Sequence, residues 1–324
     1  MRGFDAVVVT GGAGFIGSAT CELLLSSGVA DYVLAIDNLL TGSLSNVKSL
    51  MSRFGNRFEL VITDVRDLRG LREVTKVVKG SSVGIIHLAA MINIEEVRER
   101  PYEAIDINMG GTANALELAR YLDADRFVLA SSVAVYGEPK YLPIREEHPT
   151  NPKNLYGLTK LFSEYLLWRY YEDYGIKPVA LRYFNVYGPR MRPGPYAGVI
   201  YKFITTLLKG EQPVIYGDGE QTRDFIYVYD VAEANIKALQ SNYVGPLNIG
   251  SGEEVSINDL YRLIIKLLGV KVIPKYGPMR PGDVRRSRAC IKKAQEVLSW
   301  RPKTDLIHGL RQTINYYKES RMKD

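Results

Sequence analysis

Short apolar runs alternate along the first half of the chain with stretches of helical spacing. The runs fall at Ala6 to Thr10, Tyr32 to Asp37, Phe58 to Thr63, Val83 to Ala90, Arg126 to Ser132 and Pro178 to Tyr183. Strand-length runs that alternate with helical segments argue for a parallel sheet with helices on both faces. The pattern therefore predicts an α/β fold, a doubly wound sheet of Rossmann type. From Tyr187 the texture changes to "YGPRMRPGPYAG", rich in Gly, Pro and Arg. An apolar strand returns at Phe225 to Val228, followed by a mixed C-terminal portion. The expected division gives residues 1–185 with about 225–250 to the sheet domain, and about 186–224 with 251–324 to a smaller α/β domain.

Composition leaves that picture in place. A chain of 324 residues, 46% hydrophobic and 24% charged, suits a soluble globular protein of two domains. Cys21 and Cys290 stand far apart and without CxxC spacing, and the three histidines are scattered, so neither a disulfide framework nor a metal site is expected. The opening "MRGFDAVVVT" has too short an apolar run for a signal peptide or membrane span, and a cytoplasmic protein is expected. The net charge of +6 raises nucleic acid as a partner. The basic residues are spread along the chain, however, apart from a cluster at Arg280, Arg285, Arg286 and Arg288. A diphosphate ligand explains that cluster as well, so no nucleic-acid partner is expected.

The first run leads directly into "TGGAGFIGSAT", where Gly12, Gly14 and Gly17 fit GxGxxG and Gly11 adds a further glycine. So tight a turn needs residues without a Cβ, and a pyrophosphate can then reach the amides that open the next helix. Asp37 ends the second run twenty residues past Gly17, placed to accept from the adenosine ribose. It would repel a 2′-phosphate, and no Arg follows it in "DNLLTGS", so NAD is expected rather than NADP. Asp64, in "TDVRD", lies on the same sheet edge and could take the adenine amine. "HLAA", His87 to Ala90, offers small residues against which a ring can lie, with His87 read as a packed histidine.

"NLYGLTK" places Tyr156 and Lys160 four apart, on one face of a helical stretch that runs to Tyr174. A phenol with an intrinsic pKa of about 10 is a poor base near neutrality unless a cation stabilises its phenolate. Lys160 can supply that charge. "SSVAVYG" brings the hydroxyl of Ser132 to the end of a strand, and the three side chains suit proton removal from an alcohol as its hydride leaves.

These pieces together carry a resemblance that covers nearly the whole chain. "TGGAGFIGS", "IDNL", "TDVRD", "HLAA", "INMGGT", "SSVAVYG", "YGLTK", "LRYFNVYGPR", "IYGDGEQTRDFIYVYD" and "RPGD" follow in family order. The sequence resembles the extended short-chain dehydrogenase/reductases that modify nucleotide sugars, the NAD-dependent epimerase/dehydratase family, and within it the branch that inverts C4 of UDP-hexoses. The resemblance implies that Ser132, Tyr156 and Lys160 are catalytic and that Asn108 helps hold the active-site helix and its water. It implies a cofactor site of Gly11, Gly14, Phe15, Ile16, Gly17, Asp37, Asn38, Asp64, Val65, Leu88, Ala89 and Ala90, with Tyr156 and Lys160. For the UDP-sugar it implies Asn185, Arg223 and Arg280 on the diphosphate, Asp283 on the uridine ribose and Val214 and Tyr216 on the uracil. Ser132, Val199 and Ser287 complete the expected substrate set. One departure is Ile92, near where some epimerases carry a lysine that contacts the cofactor phosphates.

Two missing carboxylates narrow the chemistry. The dehydratase branch has Asp and Glu after its catalytic hydroxyl residue, and a decarboxylase typically has Glu at the second of these positions. Here they are Val133 and Ala134. Oxidation and reduction at one carbon need neither, so the expected reaction is C4 epimerisation of a UDP-hexose through a 4-keto sugar. Alternatives are a reductase, dehydrogenase or dehydratase of the same family, or a non-catalytic NAD-sensing protein. Ser287, four residues past Asp283, stands where the family's hexose-pocket wall is expected, and so small a residue leaves room for a C2 acetamido group. A homodimer is expected through a stripe of Leu161, Tyr165 and Trp168 paired with a helix near Glu103 to Leu122.

Overall fold

The computed structural model describes residues 3–191, 193–194, 197–279 and 282–321. Seven parallel strands form the main sheet: β1 (Phe4–Thr10), β2 (Ala30–Asp37), β3 (Phe58–Ile62), β4 (Val83–His87), β5 (Arg126–Ser132), β6 (Pro178–Tyr183) and β7 (Gly245–Ile249). Their order across the sheet is β7-β6-β5-β4-β1-β2-β3. Six match the apolar runs of the sequence. The seventh, GPLNI, is too interrupted by Gly, Pro and Asn to stand out as a run, and it is an edge strand, where Pro246 costs no central ladder bond.

Helices connect the strands: α1 (Phe15–Ser26), α2 (Leu44–Phe54), α3 (Leu68–Val74), α4 (Ile94–Glu99), α5 (Pro101–Ile105), α6 (Gly111–Tyr121) and α7 (Leu155–Tyr174). After β6 come α8 (Val199–Leu208), α9 (Val228–Gln240), α10 (Ile257–Leu268), α11 (Lys292–Leu298) and α12 (Leu306–Arg321). Because side chains alternate along a strand, Val7 and Val9 bury in one layer with Leu24, Ile86 and Val128. Val8 buries in the opposite layer with Leu34, Ile85, Leu116 and Leu129. A strand with both faces covered has no polar side, and this is why β1 reads as an unbroken apolar run.

A second core gathers Phe203, Ile204 and Leu207 of α8, Leu260 and Ile264 of α10 and Leu310 of α12 around Ile215. It abuts the carboxyl edge of the sheet. Strand order reverses between β1 and β4, and the crevice outside their carboxyl ends is where a doubly wound sheet receives ligands. Among the described residues, no helix is long and apolar enough to cross a membrane.

Candidate active site

At the reversal, β1 ends in a turn whose Gly11 has a φ of 71°. A Cβ there would lie 2.8 Å from the Ala89 amide nitrogen, and one on Gly17 would lie 2.0 Å from the Gly11 carbonyl oxygen. The turn and α1 thus pack backbone against backbone, which side chains would prevent. Gly14 caps α1 without a side-chain bond, so no capping side chain covers the first amides of the helix. A cavity of about 450 Å³ opens here. Every residue of the expected cofactor set except Asp64 lines it.

Asp37 sits at the far end of this cavity, where its carboxylate accepts from the amides of Ala13 at 3.0 Å and Leu39 at 2.8 Å. Burial pushes its carboxyl up against the opposing pull of those amides. Asp64 is engaged elsewhere. It accepts from Arg66 Nε at 2.9 Å and Nη2 at 2.8 Å and from Asn38 Nδ2 at 2.7 Å. The bidentate guanidinium holds the Asp64 carboxyl well below the usual carboxylate range. Asp64 therefore reaches the cavity through Asn38, which does line it. His87 lies between Thr10 Oγ1 at 2.7 Å and Thr112 Oγ1 at 3.2 Å, and burial, with Lys160 nearby, pushes its imidazole down to about 3. It is a neutral packed histidine.

A second cavity, of about 350 Å³, lies towards the smaller core. The two cavities meet at Ile92, Asn93, Ser132, Tyr156, Phe184 and Asn185. Tyr156 and Lys160 reach this junction from α7, whose N-cap Asn154 accepts from the Gly157 amide at 2.9 Å. Lys160 Nζ donates to the Ala130 carbonyl at 2.9 Å, and burial brings its ammonium down to about 8. Burial pushes the Tyr156 phenol up, opposed by a hydrogen bond with Ser132. A positive charge arriving in the cavity would oppose that rise. Ser132 Oγ also accepts from the Ala134 amide at 3.2 Å.

Asn108 lies in a π-helical turn between α5 and α6, buried away from both cavities. Its side chain accepts from the Met91 amide at 2.8 Å and donates to the Met91 carbonyl at 2.9 Å and to Thr159 Oγ1 at 3.0 Å. These bonds clamp the loop after β4 to α7 beside Lys160. The structure gives it a positioning place rather than contact with the reacting groups.

Of the expected substrate residues, Asn185, Arg223, Asp283 and Ser287 line the second cavity with Ser132, and Val199 lines the first. Arg223 is paired with Asp283 and also donates to the Val284 carbonyl at 2.8 Å. Ser287 is 3% exposed, and its hydroxyl has no hydrogen-bond partner among the described residues. Arg286, one residue earlier, also lines the second cavity, with its guanidinium paired to Glu254. Val214 and Tyr216 line neither cavity. They flank the buried Ile215 on a short strand (Val214–Tyr216) paired with Lys275–Gly277. Arg280 lies outside the described residues. Asn93 and Phe184, not singled out from sequence, line both cavities. Phe184 stands inside the quoted "LRYFNVYGPR", whereas Asn93 carries no motif; it caps α4, where its side chain accepts from the Glu95 and Glu96 amides.

A glycine-lined dinucleotide cavity that opens onto a Ser, Tyr, Lys junction defines a short-chain dehydrogenase/reductase of the extended kind. The comparisons narrow this. The model of the family described as GDP-mannose 4,6 dehydratase matches residues 8–313, and the chain belongs to this NAD-dependent epimerase/dehydratase family. A Methanocaldococcus jannaschii protein provisionally named UDP-glucose 4-epimerase is 43% identical, over 97% of this chain and 99% of its own. A solved UDP-N-acetylglucosamine 4-epimerase of Methanobrevibacter ruminantium, in complex with UDP-N-acetylmuramic acid, superposes with a TM-score of 0.90. It is 35% identical and covers 99% of this chain and 100% of its own. The UDP-glucose 4-epimerase of Thermus thermophilus, in complex with NAD, is also 35% identical, with a TM-score of 0.86 over 97% of this chain and 99% of its own. UDP-glucuronate 4-epimerases and UDP-glucuronic acid decarboxylases are further relatives.

Proposed function

We propose that this protein is an NAD-dependent 4-epimerase of UDP-hexoses, with UDP-glucose and UDP-galactose as its primary pair. The observation that carries the reading is the junction of the two cavities at Ser132 and Tyr156, where Val133 and Ala134 line the substrate side and no carboxylate follows Ser132. An added acid or base, which dehydration or decarboxylation calls for, is not supplied by these two positions, and the carboxylates that do line the second cavity, Glu95 and Asp283, are paired with Arg98 and Arg223. The first cavity fits NAD on its own terms, because the Gly11 to Gly17 cradle leaves no room for a Cβ and Asp37 closes the ribose end.

Bound NAD supplies a reversible acceptor for the hydrogen at C4. Tyr156 takes the C4 hydroxyl proton, Ser132 holds the same oxygen, and Lys160 lowers the cost of the phenolate. After the 4-keto sugar turns over, Tyr156 returns the proton and the configuration at C4 is inverted. Arg223 and Asp283 would leave each other for the diphosphate and ribose, so that the nucleotide is gripped while the hexose stays free to turn. The small, buried, unpartnered hydroxyl of Ser287 favours acceptance of N-acetylated sugars too, because a polar group placed there would satisfy it. We also propose a homodimer. The expected stripe does not form a single exposed face, since Leu161 is buried and Trp168 packs into the chain's own core. Leu158, Phe162 and Tyr165 instead form an exposed apolar strip on α7, and Tyr102 and Ile105 are exposed on α5.

Incubation with UDP-galactose without added cofactor, followed by separation of the epimers, tests the function. Appearance of UDP-glucose with no net NADH is expected. With NAD then added, accumulating NADH would instead mark a dehydrogenase and a product lacking water a dehydratase, while carbon dioxide released from UDP-glucuronic acid in a parallel incubation would mark a decarboxylase.

A further inference from the structure

Tyr156, Lys160 and Glu164 recur every four residues along α7, so they project from one face of the helix. The first two line the cofactor cavity, whereas Glu164 turns into the protein and is 1% exposed. Its Oε1 accepts from Ser131 Oγ at 2.5 Å and from Arg182 Nε at 2.9 Å, and its Oε2 accepts from Arg182 Nη2 at 2.6 Å. Arg182, buried on β6, also donates through Nη1 to the Tyr136 hydroxyl at 2.8 Å and to the Glu146 carbonyl at 3.0 Å. Tyr136 in turn donates to Asn248 Oδ1 on β7 at 2.7 Å.

An ion pair taken this far from water is a weak source of stability, because desolvation offsets its attraction. What a bidentate pair with its remaining donors satisfied does supply is a fixed geometry. Three successive residues of β5 are tied to α7 in this way. The Ala130 carbonyl accepts from Lys160, the Ser131 hydroxyl donates to Glu164, and the Ser132 hydroxyl stands beside the Tyr156 phenol. Of these ties, the one through Glu164 alone is made by an α7 side chain that lines neither cavity, although Ser131 itself borders the cofactor cavity, and it alone is backed by a charge on a third element.

We propose that Glu164, held by Arg182, is a positioning residue. By gripping Ser131 it sets the rotation of α7 against the end of β5, and with it the placement of the Tyr156 phenol and the Lys160 ammonium at Ser132. The inference rests on the epimerase reading for its turnover test and on the geometry alone for its binding test.

Ser131→Ala removes one tie, changes no charge and leaves the Glu164 to Arg182 pair in place. Its kcat is expected to fall roughly tenfold, the size of effect that loss of a hydrogen bond to a charged group produces when it is felt in the transition state. KM for the UDP-sugar should stay near that of the wild type, and the melting temperature should fall by no more than a few degrees, about what one lost hydrogen bond costs. Affinity for NAD, measured by calorimetry on the cofactor-stripped protein, should weaken severalfold, because Lys160 shares the cofactor cavity. Glu164→Gln keeps an acceptor for Ser131 but strands the Arg182 charge, and a heavier loss of kcat is expected. Ser131→Ala decides the matter by itself if Glu164→Gln does not fold. Wild-type kcat together with wild-type NAD affinity in Ser131→Ala would overturn the proposal, as would a lowered melting temperature with unchanged kcat per folded molecule. A wild-type protein that turns over no UDP-sugar would sink the epimerase reading, and the NAD affinities of Ser131→Ala and of Glu164→Gln, whose changed side chain lines neither cavity, would then together decide the role of Glu164.

Discussion

At the scale of single residues, Tyr156, Lys160 and Ser287 carry sharp consequences. Tyr156→Phe keeps the ring and loses the proton, so turnover should fall by about 10²- to 10⁴-fold while NAD stays bound. Normal turnover by that variant, measured with UDP-galactose, would remove the proton-transfer role. Lys160 titrates at about 8 because its charge is buried, below its ordinary 10.5. Its charged form is the one disfavoured by folding, so the stability cost is full below about 8 and disappears as pH rises towards 10.5. The ammonium available to a ribose and a phenolate is lost over the start of the same range. NAD affinity of the stripped protein should therefore decline as pH rises through about 8. Lys160→Met should bind NAD weakly at every pH and abolish that slope in a calorimetric series. For Ser287, the ratio of kcat/KM on UDP-N-acetylglucosamine to that on UDP-glucose should drop in Ser287→Tyr, because a ring would fill the space beside the buried hydroxyl. An unchanged ratio would mean that Ser287 does not border the acetamido group.

Elements place these residues through backbone contact as much as through side chains. The strand, turn and helix around Gly11 to Gly17 work as a unit in which a single added methyl has nowhere to go. Gly17→Ala would set its Cβ 2.0 Å from the Gly11 carbonyl oxygen, so the opening of α1 must move off the turn. The variant should lose at least ~1 kcal/mol of stability through overpacking. It should also bind NAD at least tenfold more weakly, roughly the effect of a displacement costing 1.4 kcal/mol. Denaturant unfolding and calorimetry check the two parts separately, and a stable variant with wild-type affinity would show that the helix start is not the pyrophosphate seat. The turn was legible in sequence because glycine is the one residue whose absence of a side chain is itself the signal. β7 was not, because GPLNI carries Asn248, whose burial is compensated by Tyr136, Glu146 and Ile144, and sequence shows the polar residue without its partners.

For the whole molecule, the exposed strip of Leu158, Phe162 and Tyr165 with Tyr102 and Ile105 is an apolar face of the kind that marks association sites. Light scattering at micromolar concentration should give a dimer, and Phe162→Glu with Tyr165→Glu should give a monomer. A wild-type monomer would remove the proposal. The stripe read from sequence was rotated away from this face because spacing identifies an apolar helix side without saying which side the chain itself covers. α7 has apolar residues on more than one side, and only packing on β5 and α6 decides which remain outside. Much else needed no tertiary information. The strands buried on both faces, the glycine turn, Asp37 at a strand end and the Tyr156 to Lys160 spacing are local patterns, set by backbone sterics and by periods of two and of about four residues. What only the folded chain decided is the company each residue keeps. Arg223 is taken by Asp283 and Glu164 by Arg182, and Ser132 meets Tyr156 where two cavities join. Partners as far apart as Arg223 and Asp283 meet only after strand order and core packing bring their elements together, and no short-range pattern in the sequence encodes which of several carboxylates a given arginine will find.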